Sequence, residues 1–164
     1  MGSHDLLQLD TALKTRVVQE ENSLGYSDAL GKKGDCDEEM SLDHFIRVGN
    51  KVVAGIHLII ELMGGRNIDD PALMEKAFRC AVDSCGATLL HVHLHQFSPC
   101  GVSGVAVLAE SHISVHTWPE KGYAAFDVFM CGQSRPWVAV DIFKRFFHPT
   151  EIRVTELLRG DGIV

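Results

Sequence analysis

The sequence predicts an α+β fold, a two-layer sandwich in which helices cover one face of a mostly antiparallel sheet. Apolar residues make up 46% of the 164 residues, which is enough for one core. From residue 49 onward the hydrophobic pattern gives the order β-α-β-β-β-β-α-β, with short connections between the elements. This order and these connections favour helices packed on one side of a single sheet.

The first strand and the first helix are predicted from the spacing of apolar residues and from residue types that are typical of helix ends. Val53 to Met63 is β-branched and apolar, which is typical of a strand. Asp70 and Pro71 then form a typical helix start, an N-cap followed by proline in the first turn. Apolar residues recur at helical spacing beyond this point, and Gly86 is expected to end the helix.

The second strand is predicted over Thr88 to Phe97, where apolar and polar residues alternate. Successive side chains of a strand point to opposite faces. One face is therefore expected to carry Leu90, Val92 and Leu94, and the other His91, His93 and His95.

The rest of the chain is predicted to contain four strands and a second helix. The expected strands are Val102–Glu110, Ile113–Thr117, Tyr123–Met130 and Glu151–Leu158, and the expected helix is Ser134–Phe147. The sheet face that carries the histidines has no helix to cover it, so we expect it to pack on a partner.

Residues 1–48 are expected to be an acidic, partly disordered N-terminal extension, and residues 49–164 the folded domain. The extension holds five Lys and Arg residues against ten Asp and Glu residues. Such a polar, charged composition does not favour a packed core. A short helix near Leu6–Glu20 is the one element expected within it.

Composition and charge exclude several classes of function. The net charge is −7, whereas nucleic-acid binding requires a basic surface. No apolar run approaches the roughly 20 residues of a membrane-spanning helix, and the N-terminus lacks the apolar segment of a signal peptide. The five cysteines form no paired CxxC pattern. A reduced, cytoplasmic protein that binds neither nucleic acid nor membrane is expected.

A metal site is not expected at the three alternating histidines, although one strand face would present three imidazoles together. No carboxylate or cysteine stands at an obvious position to complete the coordination of a metal. Tandem histidines also suit a polar or interfacial sheet face.

A set of short motifs between residues 97 and 132 carries the strongest functional signal. The motifs are Phe97-Ser98-Pro99, Gly101-Val102-Ser103-Gly104, Glu110-Ser111-His112, His116-Thr117-Trp118-Pro119-Glu120, Gly122-Tyr123-Ala124-Ala125 and Cys131-Gly132. In order and spacing they resemble the bacterial and archaeal S-adenosylmethionine decarboxylase proenzymes. The resemblance begins near Gly55 and runs to about Arg159.

The resemblance implies that the chain cleaves itself between Glu110 and Ser111. Ser111 takes the place of the residue that becomes the pyruvoyl cofactor, and Glu110 becomes the new C-terminus of the released chain. His116 matches the histidine that assists this processing. Ser103 matches a serine that lines the same site.

The resemblance also implies how the substrate, S-adenosylmethionine, is bound and decarboxylated. Cys131 matches the cysteine that donates a proton after CO₂ leaves. Phe97 and Trp118 match aromatic residues that stack on the adenine, and Glu120 matches an acidic residue near the ribose. The product is the aminopropyl donor for spermidine biosynthesis.

The residues themselves allow this chemistry. The Ser111 Oγ can attack the carbonyl of Glu110 and form an ester, and proximity and backbone strain favour such an intramolecular attack. A nearby imidazole such as His116 can take the α-proton, so that β-elimination and hydrolysis leave a pyruvoyl group. Its ketone can form a Schiff base with the substrate amine and accept the electrons left by CO₂. The thiol of Cys131 suits the later proton donation.

Two alternatives remain open on the sequence. One is a related pyruvoyl decarboxylase that acts on a basic amino acid such as ornithine or arginine. The other is an uncleaved homologue without activity that serves as a binding or regulatory subunit. The exposed sheet face and the resemblance further imply a homodimer, with the two sandwiches forming a four-layer αββα arrangement.

Overall fold

The computed structural model of the chain describes residues 14–17 and 44–163. The strands are β1 Lys14–Val17, β2 Ile46–Val48, β3 Lys51–Val53, β4 Gly55–Met63, β5 Leu89–Gln96, β6 Val102–Leu108, β7 Ser111–Trp118, β8 Tyr123–Met130 and β9 Glu151–Arg159. The helices are α1 Pro71–Cys85 and α2 Val138–Phe147, and a 3-10 turn covers Pro119–Lys121.

Seven of the strands form one sheet in the order β1-β9-β4-β8-β7-β6-β5, and β2 and β3 form a separate hairpin. Each neighbouring pair in the sheet runs antiparallel. The predicted α+β sandwich is therefore confirmed.

The core lies between the sheet and the two helices. One face of β4 contributes Ile56, Leu58, Ile60 and Leu62, all of them buried. Phe126 on β8 stacks on Phe143 of α2, with 4.3 Å between the ring centroids. Full burial of one such side chain stabilises the fold by about 1.5–3 kcal/mol. The opposite sheet face, which we call the open face, carries polar side chains such as His57, Glu61 and Asp127 together with the exposed apolar Ile59.

Helix α1 begins and ends as its sequence predicts. The Asp70 carboxylate accepts hydrogen bonds from the backbone N–H groups of Ala72 and Leu73 at 2.9 and 3.0 Å. Gly86 has a φ of 71°, and its N–H donates to the Asp83 carbonyl. Both ends therefore satisfy backbone groups that a helix leaves without partners.

Helix α2 begins later than predicted, at Val138 instead of Ser134. The N–H of Val138 donates to the carbonyl of Arg135, and that of Ala139 to Pro136, so the preceding residues form a tighter turn. Proline in this lead-in is compatible with such a turn because it has no N–H to donate.

The predicted face of strand β5 is wrong at Leu90. A bulge between Leu89 and His91 shifts the register of β5 against β6. Leu90 is consequently 63% exposed, and Leu89 packs against the core in its place. The expected positions of Val92 and Leu94 are confirmed.

The N-terminal region differs from the prediction at two points. Residues 14–17 form strand β1, which pairs with β9 at the edge of the sheet, so a helix over Leu6–Glu20 is wrong for these four residues. The other residues of that range lie outside the described part of the chain. The β2–β3 hairpin was not predicted, and its first three residues, Ile46–Val48, lie inside the expected extension. Within the described ranges, neither helix is long and apolar enough to cross a membrane.

Candidate active site

Ser111 stands at the start of β7, directly after the Ala109–Glu110 turn, in a backbone conformation that is rare for an L-residue. Its φ is 144°. A non-glycine residue held in this region carries strain, typically of about 1–3 kcal/mol. The strained torsion is that of the Ser111 N–Cα bond, next to the Glu110–Ser111 peptide bond where the sequence predicts cleavage.

Hydrogen bonds to its backbone and to its side chain hold Glu110 in place before this bond. Its carbonyl oxygen accepts from the backbone N–H of Cys131 at 3.1 Å. Its carboxylate accepts from the N–H of Thr88 at 2.8 Å, and the N–H of Ala109 donates to the Thr88 carbonyl at 3.0 Å. The Cys131 N–H can thus stabilise negative charge that develops on the Glu110 carbonyl. We call Glu110, Ser111 and Cys131 the cleavage cluster.

His112 lies beside the cleavage cluster, with its Nδ1 at 3.3 Å from the Ser111 Oγ. No role is predicted for this residue from the sequence. Its side chain is half-buried on the open face, where its ring contacts those of His57 and Phe129 at centroid distances of 6.3 and 6.0 Å. Burial lowers the pKa of His112 below the ordinary value of 6.5, and the neighbouring His57 lowers it further.

A polar network extends from His57 across the open face. Arg159 Nη1 lies 3.0 Å from His57 Nδ1, and His57 Nε2 lies 3.1 Å from a carboxylate oxygen of Asp127. The Ser114 hydroxyl donates to the other oxygen of Asp127 at 3.2 Å. These four residues come from β4, β7, β8 and β9, so only the folded sheet reveals the network.

A second group of predicted residues lines a cleft of about 500 Å³ at the far end of β7. Its walls are formed by Phe97, Pro99, Cys100, Gly101, Ser103, His116, Thr117, Trp118 and Glu120. Phe97 and Trp118 are 49% and 44% exposed, which leaves much of their ring surface free for a ligand. The volume lies in the range of small-molecule sites.

Strand pairing positions the polar groups of this cleft. Ser103 on β6 stands opposite His116 on β7, and the Ser103 Oγ lies 2.7 Å from His116 Nδ1. At the next position of each strand, Val102 precedes Ser103 and Thr117 follows His116. The Val102 N–H donates to the Thr117 hydroxyl at 2.8 Å. We call Ser103, His116, Phe97, Trp118 and Glu120 the cleft cluster.

The two clusters are separated along β7. Ser111 and His116 are five residue steps apart on an extended strand, a distance of about 16 Å. The structure therefore brings the predicted site residues together in two groups, and it does not bring His116 to Ser111 within one chain.

Comparison with known proteins decides the family. The family model for S-adenosylmethionine decarboxylase matches residues 56–160. The chain belongs to this family. The S-adenosylmethionine decarboxylase proenzyme of Methanococcus maripaludis strain C7 is 51% identical over 109 residues, which cover 65% of this chain and 89% of that protein. The proenzyme of Thermomicrobium roseum is 45% identical over 108 residues, which cover 65% and 93%.

A solved structure of an S-adenosylmethionine decarboxylase agrees with this assignment. The crystal structure of the adenosylmethionine decarboxylase from Aquifex aeolicus VF5 aligns with a TM-score of 0.61 and 34% identity. The alignment covers 66% of this chain and 92% of that one. The predicted family is therefore confirmed, and both clusters lie within the matched residues 56–160.

Proposed function

We propose that the chain is a proenzyme that cleaves itself between Glu110 and Ser111 and then decarboxylates S-adenosylmethionine. The product is the aminopropyl donor for spermidine biosynthesis. One observation carries the proposal. In a member of this family, a serine with a φ of 144° follows a carbonyl that accepts a backbone hydrogen bond at 3.1 Å. Strain at the serine and a hydrogen bond to the carbonyl oxygen both favour an attack by the serine on its own peptide bond.

Cleavage begins with attack of the Ser111 Oγ on the Glu110 carbonyl carbon. The Cys131 N–H, 3.1 Å from the carbonyl oxygen, stabilises the oxyanion that forms. Collapse gives an ester, and the strained φ of Ser111 is relieved when the amide bond breaks. Loss of the α-proton of residue 111 then expels the Glu110 carboxylate, with His116 as the base for that proton. Hydrolysis leaves pyruvoyl at position 111 and releases ammonia.

The pyruvoyl group supplies a ketone that can bind the substrate amine and an adjacent carbonyl that accepts electrons as CO₂ departs. The chain's own residues fit such a group. Cys131 follows β8 beside the residue that becomes the pyruvoyl group, and its side chain is half-buried. The Cys131 thiol donates the proton that completes the product.

The cleft cluster binds the nucleoside part of the substrate. Phe97 and Trp118 offer exposed rings on which adenine can stack, and they also offer π faces to a sulfonium cation. The Glu120 carboxylate lies at the same cleft and can accept hydrogen bonds from ribose hydroxyls. A short amino acid such as ornithine or arginine would leave these aromatic surfaces unfilled.

A homodimer joins the two clusters into one site. Because His116 lies about 16 Å along β7 from Ser111 of the same chain, another copy must supply the base. Packing of two open faces in a four-layer αββα dimer can place His116 of the partner subunit beside Ser111. Two equivalent composite sites result, since a two-fold interface repeats each contact.

An amino-acid panel tests the proposed substrate. Processed protein is offered S-adenosylmethionine, ornithine and arginine in turn, and CO₂ release is measured. Release from S-adenosylmethionine should be fastest. Phe97→Ala or Trp118→Ala should raise KM by up to about tenfold, since a lost stacking contact is worth roughly 0.5–1.5 kcal/mol.

Leu90→Ala is the matched control, because Leu90 is a large exposed side chain on β5 outside the cleft. It should leave KM unchanged. Equal or faster release of CO₂ from ornithine or arginine would assign the chain to a different pyruvoyl decarboxylase.

A further inference from the structure

The proposed self-cleavage needs a base for the acyl shift and a base for the later elimination, and these can be different residues. The assignment of the first base rests on the proposed self-cleavage. In the first step a proton must leave the Ser111 Oγ as this atom attacks the Glu110 carbonyl. His116 of the same chain is bonded to Ser103 and lies about 16 Å away along the strand. His112 Nδ1, in contrast, lies 3.3 Å from the Ser111 Oγ.

We propose that His112 is the catalytic base of the acyl shift, and that His116 acts only in the later elimination. The Ser111 Oγ–H passes its proton to His112 Nδ1 while the Oγ forms a bond to the Glu110 carbonyl carbon. The Glu110 C–N bond then breaks, and the imidazolium returns the proton to the departing amino nitrogen of residue 111. One O–H and one C–N bond are replaced by one C–O and one N–H bond, so no other reactant is consumed.

The surroundings keep His112 neutral and able to accept this proton. Burial lowers its pKa, and so does the neighbouring His57 on β4. Arg159 on β9 also lowers it, whereas Asp127 on β8 opposes them. Phe129, the remaining contact from β8, is uncharged. An imidazole that is neutral at pH 7 and holds the hydroxyl at hydrogen-bond distance suits a general base.

Both carboxylate oxygens of the nearby Asp127 have hydrogen-bond partners in the network around His57. The Arg159 guanidinium lies 3.0 Å from His57 Nδ1 on one side of the ring, and the Asp127 carboxylate lies 3.1 Å from His57 Nε2 on the other. Asp127 is also bonded by Ser114, and its carboxylate is thus directed towards these two partners. His57 packs beside the base, with 6.3 Å between its ring centroid and that of His112.

The test separates the two steps by the species that accumulates. His112→Ala should leave the full-length chain with its amide bond intact, resistant to hydroxylamine, and slower in cleavage by about 10²–10⁴. His112→Asn should be equally slow, because it keeps a hydrogen-bond acceptor but cannot take up the proton. Added imidazole should partly restore cleavage in His112→Ala. His116→Ala should instead accumulate the ester, which hydroxylamine cleaves.

The matched control is His148→Asn, which removes an exposed histidine at the end of α2, on the opposite side of the sheet from the open face. It should process at the rate of the unaltered chain. Cleavage of His112→Ala at that rate, or accumulation of ester in this variant, would overturn the inference. Failure of the unaltered chain to cleave would instead contradict the proposed function.

A pH profile provides a measurement that does not depend on the folding of any His112 variant. In His116→Ala, ester formation reports the first step alone. Its rate should stay constant near neutral pH and fall only below the ordinary histidine pKa of 6.5, because the pKa of His112 is lowered. A rate that rises as the pH falls below 6.5, or that stays constant down to the lowest pH at which the variant remains folded, would exclude a histidine base for this step.

Discussion

At the residue scale, Cys131 has two separable roles in the proposed reaction. Its backbone N–H holds the Glu110 carbonyl before cleavage, and its thiol is free to donate a proton afterwards. Cys131→Ala keeps the first group and removes the second. We therefore expect normal self-cleavage but turnover reduced by about 10²–10⁴, with substrate binding little changed.

The measurement is CO₂ release by a Cys131→Ala sample that mass spectrometry has shown to carry the pyruvoyl group. Cys80→Ala is the control, because this cysteine lies on α1, away from the cleavage cluster. Turnover close to that of the unaltered protein would assign the proton to another donor.

The sequence identified most of the candidate residues but not their arrangement. Motif spacing is sufficient to single out Ser111, His116 and Cys131 as candidates, because the resemblance extends over a long stretch without a large gap. It could not place His112 beside the Ser111 hydroxyl, since neighbouring residues of a regular strand point to opposite faces. The unusual φ of Ser111 permits this contact, and no local sequence pattern predicts that φ.

At the element scale, Gly104 allows β5 and β6 to approach closely. A Cβ at this position would lie 2.6 Å from the carbonyl oxygen of His93 and would also clash with Leu94. Gly104→Ala should therefore separate the two strands and destabilise the fold by about 1–3 kcal/mol. Because Ser103 is the adjacent residue, its bond to His116 should weaken too.

Urea unfolding of uncleaved Ser111→Ala protein, with and without the additional Gly104→Ala change, measures this effect. Val107→Ala is a control on the same strand, because Val107 is exposed and its truncation creates no clash. If Gly104→Ala costs no more than Val107→Ala, the close approach of the strands does not limit stability.

The elements themselves were largely predictable because each has a local cause. Capping by Asp70 and Gly86 is determined within one turn of α1, and both predictions are confirmed. The bulge at Leu90 depends on pairing with β6, and strand β1 depends on the distant edge of β9. Such long-range pairing overrides local patterns, which explains these errors.

At the scale of the whole molecule, the separation of the two clusters predicts complementation between inactive chains. Ser111→Ala lacks the nucleophile but keeps His116, and His116→Ala has the reverse defect. In a mixed dimer, one composite site receives both functional residues. The His116→Ala chain should therefore complete its cleavage when it is co-expressed with the Ser111→Ala chain.

Differently tagged chains and intact-mass analysis of the mixed dimer measure this result. Dimers of either variant alone should not complete processing. If the mixed dimer also fails to do so, His116 and Ser111 do not cooperate across subunits, and the proposed composite site is wrong. The sequence alone could not predict this requirement, because only the extended geometry of β7 separates residues that are five positions apart.

Intact-mass analysis of the purified protein tests the central claim most directly. We expect two fragments divided between Glu110 and Ser111, with the second blocked at its N-terminus by pyruvoyl. Their summed mass should equal that of the full chain plus one water minus one ammonia, whereas ordinary hydrolysis of the bond would add the water and retain the ammonia. Ser111→Ala should remain one chain. A single uncut chain in the unaltered protein, or cleavage that persists in Ser111→Ala, would contradict the account.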